Sequence, residues 1–169
     1  HWKEKDRASN TARLVNNTLR PVKILDYGID DTDSLHLHEN TAVLFPDIPD
    51  FPVEPCPEDV KQLIVIDGTW TQVRKMLGRI PKIRKLPRLS VNELVPPYPR
   101  LRAPSVPNGL STVEAVGSAL NALGFADGEK QLRRANWLLL DALRKMTGIR
   151  HPLVSGLSFT DLRILDTQN

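Results

Sequence analysis

The stretch Gln62-Leu63-Ile64-Val65-Ile66-Asp67-Gly68-Thr69-Trp70 carries the strongest structural signal in this chain. Four consecutive apolar residues, Leu63–Ile66, three of them β-branched, predict a central strand that is covered on both faces. The Asp67-Gly68 turn ends this strand, and the apolar spacing over 73–77 predicts a short amphipathic helix. Strand, turn and helix in direct succession predict an α/β domain.

Elements of the same kinds follow on both sides of this stretch. The predicted further strands are Val22–Leu25, Thr41–Phe45 and Arg88–Asn92. The predicted further helices are Thr11–Asn17, Val113–Leu123, which Gly124 ends, and Leu132–Met146, which ends near Gly148. Strands that alternate with helices predict a mainly parallel sheet flanked by helices, in one domain over 1–169.

Two proline-rich stretches, 46–57 and 96–107, interrupt this pattern with five prolines each. Proline fits neither a helix interior nor a central strand. The first stretch is predicted to be an exposed connector. The second lies between a strand and a helix, where long loops are often functional.

The composition is that of a soluble globular domain: 169 residues, 40% hydrophobic and 25% charged. No apolar run approaches the roughly 20 residues that cross a bilayer, so we predict no membrane contact. The single cysteine, Cys56, excludes an internal disulfide and a cysteine-based zinc cluster within this sequence. We therefore expect a reducing, cytoplasmic setting.

The charges are unevenly distributed along the chain. Residues 26–59 hold ten acidic residues and no Lys or Arg, whereas 70–109 hold nine basic residues and one acid. A basic block of this kind predicts contact with a nucleic acid or another polyanion. The alternatives are that the two blocks face each other or form separate solvated faces.

Asp67 lies where open α/β sheets bind ligands, at the carboxyl end of the predicted strand, and is a candidate general base. In the alternative interpretation Asp67 or Thr69 caps the following helix and Trp70 packs in the core. Ser111-x-x-Glu114 is a capping box, and the same helix start also offers backbone N–H groups to a ligand.

Other motifs give no support to common sites. His36 and His38 point to opposite faces of an extended chain and lack a third ligand, so we predict no metal site. The chain has no GxGxxG motif and no P-loop, so the usual dinucleotide and nucleoside-triphosphate folds have no support here.

Four blocks, in order, resemble the DTW domain family. Asp67-Gly68-Thr69-Trp70 resembles its D-x-T-W signature. The other blocks are His1-x-x-Glu4 with Ser9–Leu14, which resembles H-x-x-E…N-T-x-R-L, then Leu86-Pro87, and Leu110–Ala115, which resembles L-S-T-x-E-A. Similar elements occur in a related enzyme that modifies small-subunit ribosomal RNA.

This resemblance implies a tRNA-uridine aminocarboxypropyltransferase. Such an enzyme transfers the 3-amino-3-carboxypropyl group of S-adenosylmethionine to N3 of a uridine and releases methylthioadenosine. The resemblance also implies a SPOUT-like fold with a C-terminal trefoil knot. It leaves the oligomeric state open.

The resemblance, together with the basic block over 70–109, suggests roles for individual residues. Asp67 is the expected catalytic base. The expected cofactor-binding residues are Thr69, Trp70, Leu86, Pro87, Tyr98, Leu110, Ser111, Thr112 and Glu114. The expected tRNA-binding residues are Asn10, Arg13, Arg74, Lys75, Arg79, Lys82, Arg84, Lys85, Arg100 and Arg102.

The chain departs from the family pattern in two places. Members commonly carry a Cys-rich segment before the block that begins at His1, and we expect that segment to be absent or removed here. The segment after Tyr98 has one residue more than the family pattern, so either Arg100 or Arg102 takes the place of the family arginine. The alternative functions are a SPOUT-type RNA methyltransferase, a non-catalytic RNA-binding module, or an enzyme that modifies ribosomal RNA.

Overall fold

The computed structural model of the protein describes residues 11–46, 55–91, 98, 100 and 109–147. Within these residues the strands are β1 (Thr41–Leu44), β2 (Gln62–Val65) and β3 (Arg88–Leu89). The α-helices are α1 (Thr11–Thr18), α2 (Trp70–Arg79), α3 (Pro81–Arg84), α4 (Thr112–Ala122) and α5 (Ala126–Thr147). A short 3-10 helix covers Thr32–Ser34.

The three strands form one parallel sheet in the order β2-β1-β3. Val43 of β1 is level with Ile64 on one side and with Arg88 on the other. This confirms the prediction of an α/β fold with a parallel sheet. The prediction that 63–66 forms the central strand is wrong for the described sheet, because β1 is the strand between two neighbours.

The burial of β1 and β2 agrees with their positions in the sheet. All four residues of β1 are buried, whereas β2 is only partly buried and its Val65 is 37% exposed. Apolar side chains still cover both faces of β2, since Leu63 and Ile64 pack into different cores. An apolar run therefore indicates that both faces of a strand are covered. It does not indicate whether the strand has a neighbour on both of its edges.

Helices cover both faces of the sheet. Leu44 points into one core, built with Val113, Val116 and Leu132 of α4 and α5 and completed by Val15 of α1. Its neighbours Val43 and Phe45 point into the other core, which contains the buried residues Val73, Met76, Leu77, Ile80 and Ile83 of the α2–α3 segment. The alternation of side chains along β1 thus separates two helical layers.

Most of the predicted helices are confirmed within the described residues. α1, α2, α4 and α5 lie where periodicity predicts them, and Gly124, with a φ of 83°, ends α4 as expected. The predicted strand over 22–25 is wrong: no strand of the described chain pairs with it, and Ile24 is 44% exposed. A short apolar run forms a strand only where a neighbouring strand is available.

Some expectations fall outside the described residues. β3 is shorter than predicted, and Asn92 belongs to the undescribed segment 92–97. Residues 47–54 of the first proline-rich stretch, nearly all of the second stretch, and residues 148–169 also lie outside the described residues. The trefoil knot and the SPOUT-like fold therefore stay predictions.

Candidate functional site

Two of the sequence blocks meet at the carboxyl edge of the sheet. Asp67 follows the end of β2, and Thr112 is the first residue of α4. The Thr112 hydroxyl donates a hydrogen bond of 2.5 Å to Asp67 Oδ1, across 45 residues of sequence. The structure thus joins the Asp-Gly-Thr-Trp block to the Leu-Ser-Thr block through one side-chain contact.

The start of α2 lies beside Asp67 and is exposed. Thr69 forms a capping box with Gln72: its N–H donates to Gln72 Oε1 at 2.7 Å, and its hydroxyl accepts from the Gln72 N–H at 3.4 Å. The capping interpretation is therefore correct for Thr69. Its second half is wrong, because Trp70 is 40% exposed and only borders the core, with its ring 5.9 Å from that of Phe45.

The start of α4 uses the same motif in a buried setting. Ser111 and Glu114 form the predicted capping box, with Ser111 N–H and Oγ each 2.7 Å from Glu114 Oε2. The other carboxylate oxygen, Oε1, accepts from Arg100 Nε. Glu114 is 1% exposed, so both oxygens of this expected cofactor ligand are engaged inside the protein.

Tyr98, another expected cofactor residue, is buried between α4 and α5. Its hydroxyl donates to Glu129 Oε1 at 3.1 Å. Burial, reinforced by the Glu129 carboxylate, raises the pKa of Tyr98 above its usual range, so the hydroxyl stays protonated and acts as a donor. Burial also raises the pKa of Glu129, although Arg133 opposes that shift.

Tyr98 and Arg100 are the two described residues of the second proline-rich stretch. Each is held by a buried carboxylate, Glu129 on α5 and Glu114 on α4. Sequence reasoning missed Glu129, because a glutamate in the first turn of a helix is ordinary for reasons of the helix dipole alone.

Leu86 and Pro87 lie away from the Asp67–Thr112 contact along the strands. They come directly before β3, where the Pro87 carbonyl accepts from Val43 N–H at 2.8 Å. Since all strands are parallel, this is the amino edge of the sheet, whereas Asp67 lies past the carboxyl end of β2. Leu86 packs against the core under α2 and α3. The structure does not bring these two residues together with Asp67.

Most of the described basic residues that are predicted to bind RNA lie along α2 and α3. Arg74 and Lys75 lie on α2 and line an open pocket of about 580 Å³ with Trp70 and Thr71. Lys82 follows on α3 and donates to the backbone carbonyl of Asp33, so part of the acidic block borders the basic block. The remaining exposed basic residues predicted to bind RNA are Arg13, Arg79, Arg84 and Lys85.

Three basic or polar positions behave differently. Arg88 is buried at 5% exposure, with its guanidinium carbon 5.8 Å from the centre of the Phe45 ring. This explains why it cannot belong to a solvated basic stripe. Asn10 and Arg102, both predicted to bind tRNA, lie outside the described residues.

The described part of the chain lacks two other kinds of structural feature. No group of three or more His, Cys, Asp or Glu side chains there is arranged to hold a metal ion. None of the helices described is long and apolar enough to cross a membrane.

Comparison with known proteins identifies the family. Neither the curated proteins nor the solved structures contain a match to the chain. The family described as "DTW domain" matches residues 1–150, which include Asp67, Trp70 and Thr112. By that match over most of its length, the chain belongs to the DTW domain family.

Proposed function

We propose that this protein transfers the 3-amino-3-carboxypropyl group of S-adenosylmethionine to N3 of a uridine in tRNA. Membership of the DTW domain family supports a role in tRNA modification. The observation that carries the finer proposal is the Thr112–Asp67 hydrogen bond, which unites two family blocks at the carboxyl edge of the sheet. That edge is the usual place for a ligand in an open parallel sheet.

The residues around this contact suit S-adenosylmethionine. The capping box of α4 uses the N–H groups of Ser111 and Glu114, and those of Thr112 and Val113 are the first-turn donors that are not part of the box. Such donors suit the carboxylate of the aminocarboxypropyl tail. We expect the backbone at Leu110–Thr112, with Thr69, to hold the cofactor, and Glu114 to position that backbone.

The reaction needs a base and a fixed orientation. When bound, S-adenosylmethionine supplies an electrophilic carbon whose bond to sulfur breaks, so that the sulfur keeps the electron pair and methylthioadenosine leaves. Uridine N3 forms the new bond to that carbon. Asp67 accepts the proton of N3–H, and Thr112 holds the carboxylate in place through Oδ1. Orientation by the pocket decides which carbon is presented to the RNA.

The decisive experiment follows two labels. Carboxyl-labelled and methyl-labelled S-adenosylmethionine are each incubated with the protein and unmodified bulk tRNA. The proposal requires the carboxyl label to enter the RNA with equal release of methylthioadenosine. Transfer of the methyl label instead would show a methyltransferase. Binding of tRNA without transfer of either label would show an RNA-binding module. Transfer to ribosomal RNA alone would show that the substrate is ribosomal RNA and not tRNA.

The role of Asp67 has its own test. Asp67→Asn keeps the hydrogen-bond acceptor for Thr112 but removes the proton acceptor, so we expect transfer to fall by about 100-fold or more. Affinity for S-adenosylmethionine, measured by calorimetry, should stay within about threefold of the wild type, well under the 1.4 kcal/mol of a tenfold change. Asp59→Asn is the matched control, because Asp59 also accepts a side-chain hydrogen bond, from Asn40 at 2.7 Å. Asp59 lies before the start of β2, whereas Asp67 lies after its end. A fully active Asp67→Asn variant would remove Asp67 from the mechanism.

A further inference from the structure

We infer that Arg100 is a positioning residue for the proposed cofactor site and not a ligand of RNA. Through the Glu114 carboxylate it holds the start of α4, and with it the backbone at Leu110–Thr112. The inference rests on the proposed function, which assigns S-adenosylmethionine to that backbone. It gives Arg100 a role different from the tRNA contact that the basic block suggests.

The Glu114 carboxylate links Arg100 to the first turn of α4. Glu114 is 1% exposed, and its Oε1 accepts a hydrogen bond from Arg100 Nε. Its Oε2 accepts from the N–H and the hydroxyl of Ser111, each at 2.7 Å. A carboxylate buried this deeply is stable as a charge only when it is paired and hydrogen-bonded. Arg100 therefore supplies the opposite charge that lets Glu114 hold Ser111.

The link continues from Ser111 to the proposed base. Thr112, the residue after Ser111, donates to Asp67 Oδ1 at 2.5 Å. Consecutive contacts thus connect Arg100, in the second proline-rich stretch, to Asp67 at the carboxyl edge of the sheet. A displacement of about 1 Å in a group that positions substrate can lower a rate by about 100-fold. Arg100 can therefore control the site without touching the substrate or the cofactor.

Tyr98 holds the same stretch on the same face of α4. Its hydroxyl donates to Glu129 Oε1 at 3.1 Å, and a Cβ added at Gly117 would lie 2.0 Å from that hydroxyl. Gly117 follows Glu114 by three residues, so the two positions lie on one face of the helix. Tyr98 and Arg100 are both docked on that face, and the Arg100 side chain has little freedom to turn toward a phosphate.

The balance of charge also argues against an RNA contact by Arg100. Its side chain is 20% exposed, and its charge is matched by that of Glu114. A pair without net charge attracts a phosphodiester only weakly. Arg74 and Lys75, in contrast, are exposed and line an open pocket. Cations of that kind suit the electrostatic part of RNA binding.

The effect of Arg100 on α4 is tested by amide hydrogen exchange without any ligand. Arg100→Met keeps an unbranched side chain and removes the charge. We expect the Ser111 amide, which is bonded to Glu114, to exchange at least about tenfold faster, while the Gln72 amide in the capping box of α2 is unchanged. Unchanged exchange at Ser111 would overturn the inference.

Arg133→Met is the matched control for folding. Arg133 Nε lies 3.4 Å from Glu129 Oε1, and its side chain is 18% exposed, so this pair resembles the pair of Arg100 with Glu114. Glu129 lies on α5 and is not part of the capping box of α4. Arg133→Met should leave Ser111 exchange within about threefold of the wild type. Equal acceleration in both variants would indicate a general loss of stability and would contradict a positioning role.

Cofactor affinity is measured by calorimetry on the same variants. Arg100→Met should weaken S-adenosylmethionine binding by about tenfold, the size expected when a hydrogen bond to a charged group is lost. Arg100→Lys keeps the charge beside Glu114, and Arg133→Met leaves the α4 box intact, so both should stay within about threefold of the wild type. Wild-type affinity in Arg100→Met would contradict the inference.

The salt dependence of tRNA binding separates the two roles of an arginine. Removing one phosphate contact lowers the salt slope by about 0.7–0.9, which we expect for Arg74→Ala. Arg100→Met should change the slope by less than about 0.2. An equal fall in the two variants would make Arg100 a phosphate ligand and would overturn the inference. All these readouts measure folding or binding, so a wild type that binds the cofactor and transfers no label would reject the proposed function alone.

Discussion

Helices α2 and α4 begin with the same motif in opposite surroundings. Each starts with a hydroxyl residue whose side chain accepts from the third helical residue, Gln72 in α2 and Glu114 in α4. At α2 the box is neutral and exposed. At α4 it is charged and buried, and the carboxylate also holds Arg100.

The difference between the two helix starts leads us to expect that they have different tasks in the proposed site. The buried box of α4 fixes Thr112, and Thr112 fixes Asp67. The exposed box of α2 leaves Trp70 and the following cations accessible. We therefore expect one helix start to set the geometry of the proposed chemistry and the other to present a surface to the substrate. The following predictions test that division, from the largest expected effect to the smallest.

Glu114→Ala is expected to have the largest effect. It removes the capping carboxylate and leaves the Arg100 guanidinium, about 20% exposed, without its partner. Breaking a buried ion pair on one side costs about 3 kcal/mol, which urea denaturation should show as a lower midpoint at unchanged slope.

Glu114→Gln is the matched control. The amide oxygen can still accept from Ser111, so we expect about half of the loss seen in the alanine variant, on the order of 1.5 kcal/mol. A Glu114→Ala variant as stable as the wild type would show that the buried box is not what fixes α4.

Gly117→Ala is expected to destabilise by about 2 kcal/mol, as overpacking in a core does. A Cβ at Gly117 would lie 2.0 Å from the Tyr98 hydroxyl, which is buried and bonded to Glu129. Gly78→Ala, on the exposed helix, should instead stabilise. Adding Tyr98→Phe should recover part of the Gly117→Ala loss; no recovery in that double variant would place the clash elsewhere.

Thr112→Val should act on catalysis more than on folding. It removes the donor to Asp67 with little change in shape, so we expect kcat to fall by about tenfold with the melting temperature nearly unchanged. Thr112→Ser keeps the hydroxyl and should restore most of the rate. Equal rates for the valine and serine variants would show that the hydrogen bond does not serve the reaction.

Thr69→Ala should lower the free energy of unfolding by about 1 kcal/mol, as for the loss of a typical helix cap, which is less than Glu114→Ala or Gly117→Ala. Because this box is exposed and uncharged, no buried group is left unsatisfied. The measurement is the melting temperature of Thr69→Ala compared with that of Thr71→Ala, which changes an exposed neighbour outside the box. A loss of stability as large as that of Glu114→Ala would show that the exposed and buried capping boxes stabilise the protein equally.

Sequence patterns predicted the parts of the fold that depend on neighbours along the chain. α2 and α4 follow from apolar spacing, the capping box of α4 follows from residue types three positions apart, and Thr69 was one of two predicted caps of α2. β1 and β2 follow from their apolar runs. Each of these signals is local, and local chemistry is enough to produce it.

What the sequence could not show depends on contacts between distant segments. The central place of β1 is decided by its two partners, and the run over 22–25 fails as a strand because it has none among the described strands. The Asp67 part of the site was predicted, yet its contact with Thr112 was not. Glu129 escaped notice because burial beneath Tyr98 is visible only in three dimensions.

The Thr112–Asp67 contact also limits how the protein can be divided. During synthesis the Asp-Gly-Thr-Trp block emerges 45 residues before its hydroxyl partner, so the pair cannot form until α4 has been made and docked. A fragment that stops short of Thr112 would carry the family signature and lack the assembled site. Splitting the chain between Asp67 and α4 should therefore yield two inactive pieces whose activity returns only when they reassociate.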